Sequence, residues 1–207
     1  MYSIEVNGKA LEKVDLGEWA DPAVRRLKLP ARMLEQGENR ITLRCDYHEM
    51  LPGIEALFVL GDFGVEDDAL VALPETVDLG DWCAQGFPHY AGNFTYVREL
   101  AGVEPDGKPC FLEFGEWRGA LLGVSVNGGP MHLVPWAPYR AEIGGELRRG
   151  ANEIAVTVFG HRRNAHGPFY LEETWPVWNG PLQFKSYLQP VRRLVPCGLF
   201  EPPKLVR

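Results

Sequence analysis

Apolar and polar side chains alternate over short stretches of this chain instead of recurring at helical spacing. In Ile41-Thr42-Leu43-Arg44-Cys45-Asp46-Tyr47 the apolar groups take every second position, and Phe94 to Leu100 and Glu153 to Phe159 follow the same period. A period of two sends one face into a core and the other into water, which predicts antiparallel sheet. Leu121 to Val126 and Ile54 to Phe63 are more continuously apolar, as expected of strands inside a sandwich. Helical signal is thin. Asp21 to Leu29, Pro30 to Leu34 and Ala141 to Leu147 each predict a turn or two, with Gly37 and Gly150 as stops for the last two.

A signature occurs twice within this pattern. Val6-Asn7-Gly8 is followed by Gly37-Glu38-Asn39-Arg40-Ile41, and Val126-Asn127-Gly128 is followed by Gly150-Ala151-Asn152-Glu153-Ile154. Each copy reads as a strand, an Asn-Gly turn, a linking stretch, a glycine-led turn and another alternating strand. Asn-Gly supplies the positive backbone angles of a tight hairpin, and such self-similarity predicts two related β units. Glu66 to Thr76 reads as the boundary, giving a unit at 1–70 and a fuller one at 71–207. The first is short for an independent sandwich, which takes about 100 residues. It therefore reads as a partial copy lacking its first strands, with two alternatives open: the strands lie upstream in a longer parent, or this segment pairs into the second unit.

Composition narrows the class. Of 207 residues, 45% are hydrophobic and 24% charged, an ordinary globular balance, and the 23 glycines and 17 prolines are dispersed as turns between short strands require. A net charge of −7 argues against a nucleic-acid partner, whose phosphates demand a basic surface. No apolar run reaches the roughly 18 residues of a membrane span. The opening Met1-Tyr2-Ser3-Ile4-Glu5 has neither the basic nor the apolar region of a signal peptide. Cys45, Cys83, Cys110 and Cys197 form no Cys-x-x-Cys pair and read as free structural thiols. Together these lean the expected compartment toward the cytoplasm.

The run Val124-Ser125-Val126-Asn127-Gly128, then Pro138-Tyr139, then Leu147-Arg148-Arg149-Gly150-Ala151-Asn152-Glu153-Ile154-Ala155-Val156-Thr157-Val158, resembles the galactose-binding-domain-like jelly rolls. These accompany glycoside hydrolases of the β-galactosidase and β-glucuronidase type and α-L-rhamnosidase-like enzymes. Gly160 to Pro168 falls where such domains carry an Asn and a Gly-Pro turn. The resemblance covers most of 75–200 and the repeat half of 1–65. It implies an all-β, antiparallel β-sandwich of the jelly-roll type with a partial second copy. It also implies a non-catalytic region that binds carbohydrate or supports a glycoside hydrolase catalytic domain, in cis or in trans. The motif has a physical account of its own: Gly150 permits a turn, Asn152 caps free backbone groups there, and Ile154, Val156 and Val158 fill a core. None of that requires a ligand, so it specifies fold more than function.

A sugar site needs aromatic faces to stack on pyranose C–H surfaces and planar polar groups for hydroxyls. The candidates are Trp136, Tyr139 and Arg140, then His161, Arg163, Asn164 and His166, then Trp175 and Trp178, with Tyr170 nearby. The same aromatics would equally serve by packing under long loops or against a neighbouring catalytic domain. His161 and His166 have two arginines beside them and no third ligand, so no metal is expected, and no cofactor.

Glycoside hydrolysis normally uses two carboxylates about 5–10 Å apart. Glu172 and Glu173 are adjacent, Glu113 and Glu116 flank Gly115, and Asp62 follows Gly61. Each reads as a surface charge, and no catalytic residue is assigned. Two alternatives stay open: a glycosidase built on a carboxylate pair near Glu113, Glu116 or Glu172, and a purely structural interaction module.

Overall fold

The structure is a computed structural model that describes residues 2–19, 21–46, 48, 50, 57–103, 105–166 and 194–207. It is all-β, its sheets are antiparallel throughout, and it divides into two compact units, Met1–Val59 and Leu60–Arg207.

In the first unit, β1 (Tyr2–Val6) turns through Asn7-Gly8 into β2 (Lys9–Ala10). The hairpin β3 (Asp15–Trp19) and β4 (Asp21–Leu27) follows, then a 3-10 turn at Ala31–Met33, then β5 (Ile41–Cys45). β1 lies between β2 and β5, and the register Ile4↔Leu43 and Val6↔Ile41 gathers the apolar side chains on one face. Among the described residues of this unit only Ile4, Val6 and Met33 are buried apolar side chains.

The helical turn expected over Asp21 to Leu29 is instead strand β4. Its arginines bond across the hairpin, Arg25 to the Asp15 carboxylate at 2.8 Å and Arg26 to the Leu16 carbonyl at 2.9 Å. A segment with no apolar stripe to bury gains nothing from helical spacing, so the partner strand decides. The turn expected at Pro30 to Leu34 is present as the 3-10 turn, capped by Pro30.

The second unit begins with the hairpin β6 (Gly64–Glu66) and β7 (Ala69–Val71). After a 3-10 turn at Trp82–Gln85 come β8 (Asn93–Leu100), β9 (Phe111–Glu113), β10 (Trp117–Arg118) and β11 (Leu121–Val126). Then follow β12 (His132–Val134), β13 (Arg140–Glu142), a 3-10 turn at Gly144–Glu146, and β14 (Asn152–Phe159). A 3-10 turn at Asn164–His166, β15 (Gly198–Leu199) and β16 (Lys204–Val206) complete the described chain.

One sheet runs β12-β11-β14-β8 and another β13-β9-β16. Leu122, Val124 and Val126 of β11 and Ile154, Val156 and Val158 of β14 turn into the same buried cluster as Leu112 of β9 and Ala141 of β13. Two sheets sharing one interior make a β-sandwich.

The acidic stretch read as a boundary is the turn of the β6–β7 hairpin, with Asp67 and Asp68 at φ 45° and 68°. That hairpin belongs to the second unit, where Val65 donates its N–H to the Gly86 carbonyl at 2.9 Å. The two compact units divide at Val59/Leu60. The apolar run over Ile54 to Phe63 is not an interior strand in its described part: Leu57 to Leu60 is exposed and pairs with no strand. Apolar content becomes a strand only where a neighbouring strand pairs with it, and among the described residues none pairs with Leu57 to Leu60. All four cysteines are free thiols, buried at Cys83, Cys110 and Cys197 and half-buried at Cys45. Among the described residues no helix is long and apolar enough to cross a membrane.

Candidate functional site

The duplicated signature builds the same hydrogen-bonded clamp in both units. In the first, the Asn7 amide donates to the Met33 carbonyl (3.0 Å) and to Asn39 Oδ1 (2.9 Å), and Asn7 Oδ1 accepts from the Arg40 N–H (2.8 Å). Asn39 accepts from the Glu35 N–H (2.8 Å) and donates to the Glu35 and Gly37 carbonyls (2.8 and 3.0 Å). In the second, Asn127 donates to the Glu146 carbonyl (3.1 Å) and Asn152 Oδ1 (2.9 Å) and accepts from the Glu153 N–H (3.1 Å). Asn152 accepts from the Arg148 N–H (2.9 Å) and donates to the Arg148 and Gly150 carbonyls (2.9 and 3.3 Å). Gly37 and Gly150 sit at φ 93° and 90°, where a side chain would be strained. Every polar atom of these asparagines is committed to the chain itself. The signature ties strand ends together and leaves no group for a ligand.

Strand register defines the opposite pole of the second unit. Leu121 pairs with Phe159, Phe159 with Asn93, and Leu122 with Val134, so the start of β8, the start of β11 and the ends of β12 and β14 lie together. Trp136 follows β12 and His161 follows β14. The two groups of candidates drawn from distant stretches of sequence therefore emerge from one end of the sheet.

Their environments differ. Trp136 is 75% exposed. Tyr139 is half-buried, its ring edge-on to Trp117 with centroids 5.1 Å apart, and its carbonyl accepts from the Phe114 N–H at 2.9 Å. Arg140 lies on β13 with its guanidinium 4.8 Å from the centre of the Phe111 ring, opposite Glu113 in register. Asn164 is buried and committed: it exchanges hydrogen bonds with the Val195 backbone (2.8 and 2.9 Å) and donates to Cys83 Sγ (3.2 Å). Both ring nitrogens of His161 are buried with no hydrogen-bond partner among the described residues. Arg163 is exposed. Trp175, Trp178, Tyr170 and the Glu172–Glu173 pair lie outside the described residues, and His166 is placed on its 3-10 turn by backbone alone.

Three further residues stand at this pole, of which Tyr90 and His89 carry no motif and were not legible in the sequence. Tyr90 is partly exposed and heads an aromatic cluster with Trp82, Phe87 and Phe94, its ring lying over Gly92. His89 Nδ1 meets the Asn164 carbonyl at 3.1 Å, tying the loop before β8 to the one after β14. Trp117 supports Tyr139. The clue in hand was Pro88-His89-Tyr90-Ala91-Gly92-Asn93, an aromatic turn leading into a strand, but only the register shows which loops it joins.

Below the pole two thiols are held neutral. Burial pushes Cys83 up to about 12, and the nearby Asp81 carboxylate adds to the rise. Burial pushes Cys197 up to about 11, against a hydrogen bond from the His161 backbone that lowers it. Asp81 Oδ1 accepts from the N–H of both cysteines, at 2.9 and 3.0 Å, so this carboxylate staples residues 81–83 to 195–197. Protonated buried thiols are poor nucleophiles.

Of the carboxylates weighed for glycoside hydrolysis, the described ones, Asp62, Glu113 and Glu116, are exposed. Glu116 pairs with Arg118 at 2.9 Å, and Glu113 stands on β9 between Arg140 and Lys204 in register. Glu201, brought in from the far end of the chain, lays its carboxylate against Gly115. Among the described residues no three His, Cys, Asp or Glu side chains gather as a metal would require.

No family model matches the chain, and no curated protein matches it. Among solved structures it is similar to a rhamnosidase from Novosphingobium sp. PP1Y, at 20% identity and a TM-score of 0.43. That match covers 98% of this chain and 20% of the rhamnosidase, so the chain spans about a fifth of that protein's length.

Proposed function

We propose that the chain is a non-catalytic carbohydrate-binding region of a glycoside hydrolase-type protein, built on a galactose-binding-like jelly roll, with its contact surface at the loop pole of the second unit. The observation that carries this reading is Trp136. A tryptophan three-quarters exposed at the pole where β8, β11, β12 and β14 converge leaves a wide apolar face in water. Stacking on the C–H face of a pyranose is the chemistry such a ring suits, and Tyr139 and Arg140, three and four residues on, offer donors for hydroxyls. No covalent step is assigned, because the work of such a surface is stacking and hydrogen bonding.

One further observation favours a second reading. Met131 and Leu133 are exposed on the same stretch as Trp136, and an apolar strip of that kind also suits a protein surface such as a catalytic domain. A glycan array probed with the whole chain separates the two, using galactosides and rhamnosides among other pyranoside ends. Saturable binding that is lost in Trp136→Ala, with the thermal midpoint unchanged, supports the sugar reading. A folded protein that binds no glycan sinks it and leaves the protein-contact reading.

A further inference from the structure

The clamps also mark which residues of the two units correspond. The Asn7 amide donates to the Met33 carbonyl as the Asn127 amide donates to that of Glu146, so Met33 stands where the second unit has Glu146. Glu146 carries its carboxylate to His132 of β12, a polar contact that ties the 3-10 turn to the strand. Met33 has no charged group with which to repeat that contact. It is buried, and it lines a cavity of about 320 Å³ in the first unit.

Two passes of the chain build this cavity. Beyond β2, Leu11 donates its N–H to the Ile4 carbonyl at 2.8 Å, and the chain runs on through Glu12 to Val14. On the return, Lys28 donates its N–H to the Val14 carbonyl at 3.0 Å, which sets these two residues side by side at the mouth of the β3–β4 hairpin. Pro30 then caps the 3-10 turn, and Met33 donates its N–H to the Pro30 carbonyl at 3.0 Å. Asn7 holds the end of that turn, so the clamp that locks the strand ends also positions the cavity wall. Val14, Pro30 and Met33 give the lining its apolar surface, and Glu12, Lys28 and Arg32 give it charge. Among the described residues neither Lys28 nor Arg32 has a carboxylate within ion-pair distance. Two cations thus face one carboxylate across the cavity, in a chain whose net charge is −7.

We infer that this cavity binds a small amphiphilic monoanion, a carboxylate carried on a compact apolar body such as a single ring. The Arg32 guanidinium presents a planar fork that matches a carboxylate, and Lys28 adds a second positive charge. Val14, Pro30 and Met33 cover the apolar body, whose removal from water favours the bound state. Glu12 limits the charge: its carboxylate repels a second anionic group and accepts a hydrogen bond from a ligand hydroxyl or N–H. The volume is near the lower end of the roughly 300–1,000 Å³ of ligand pockets, with room for one ring rather than a chain of them. This inference concerns the first unit and does not depend on the sugar reading of the second.

The probe is benzoate, added to the whole chain carrying ¹³C-methyl methionine. The chain has four methionines, so the Met33 methyl is one of four signals and is assigned from Met33→Leu. The expected result is a saturable shift of the Met33 signal while that of Met131, in the second unit, stays in place. Benzamide, which has the same shape without the charge, should bind about tenfold more weakly, as should benzoate to the Lys28→Gln/Arg32→Gln variant. Glu12→Gln should move affinity the other way, tightening benzoate about twofold, so a loss caused by misfolding is distinguished from a loss of charge. No shift of Met33, or equal binding of benzamide, overturns the inference. So does inorganic phosphate shifting the Met33 signal as strongly as benzoate, which would leave a bare anion site with no apolar half.

Discussion

The two asparagine clamps make the same six side-chain hydrogen bonds, yet Asn152 is fully buried and Asn39 is exposed. Local bonding is therefore a property of the motif, while its setting comes from the strands around it. In the second unit β8 extends the sheet and β9, β13 and β16 cover its inner face. Among the described residues of the first unit β5 ends the sheet, and only Ile4 and Val6 of the sheet and Met33 of the 3-10 turn are buried apolar side chains. A hydrogen bond inside a dry interior cannot be replaced by water when one partner is removed, whereas an exposed one can.

The largest separation between the units should come from deleting the inner asparagine of each clamp. Asn152→Ala removes a fully buried side chain and with it the partner of the Arg148 N–H, the Arg148 and Gly150 carbonyls and the Asn127 amide, and should cost about 3 kcal/mol. Asn39→Ala exposes the equivalent groups to water and should cost about 1 kcal/mol. Urea titrations followed by hydrogen exchange at β14 and at β5 would report each unit by itself. Equal losses would break the comparison and show that burial does not set the clamp's worth.

A smaller effect follows from the thiols. Cys83 and Cys197 have folded-state values raised to about 12 and about 11, above the ordinary thiol value of 9.0. Their neutral forms are favoured by folding, so the folded state binds more protons at alkaline pH. The stabilisation is complete below about pH 9 and is lost as pH rises toward 11 and 12. The urea midpoint of the second unit should fall from pH 9 upward. The double variant Cys83→Ala/Cys197→Ala should flatten that slope relative to the parent, and an unchanged slope would remove the thiols from the account.

The finest test is the order of thiol labelling. Cys45 on the half-covered face of β5 should react with iodoacetamide at pH 8 before Cys110, Cys197 or Cys83, which are each less than a tenth exposed. Mass spectrometry of partly labelled protein would show it. Labelling of Cys197 or Cys83 at the rate of Cys45 would mean that the second interior opens as readily as the first.

The clamp and the strand that follows it were legible in the sequence because they depend on short-range chemistry. Asn-Gly demands a turn, Gly150 permits a positive φ, and Ile154, Val156 and Val158 alternate as a buried face must; all three are buried as expected. β4 was not legible. Ala23, Val24, Arg25, Arg26 and Leu27 suit a helix or a strand, and the Asp15 and Leu16 partners that decide lie in another strand. The run at Leu57–Leu60 failed in the opposite direction, since hydrophobicity alone does not provide a neighbour to pair with. The candidate site was legible only in pieces. Trp136, Tyr139 and Arg140 were visible as one group and His161, Arg163 and Asn164 as another, while the register that draws both to one pole is a long-range property.

The sequence by itself determined that the protein is all-β, that it repeats a turn-locking asparagine pair, and which faces of its strands are apolar. Those features follow from the two-residue period and from backbone preferences of single residues. Only the tertiary structure decided that Asn152 is buried and Asn39 exposed, that Asn164 is locked to Val195 while Trp136 faces solvent, and that among the described residues β5 ends its sheet where β14 does not. Burial and strand order depend on which distant segments pair, and pairing is settled by the sum of many weak contacts across the fold rather than by any residue's own preference.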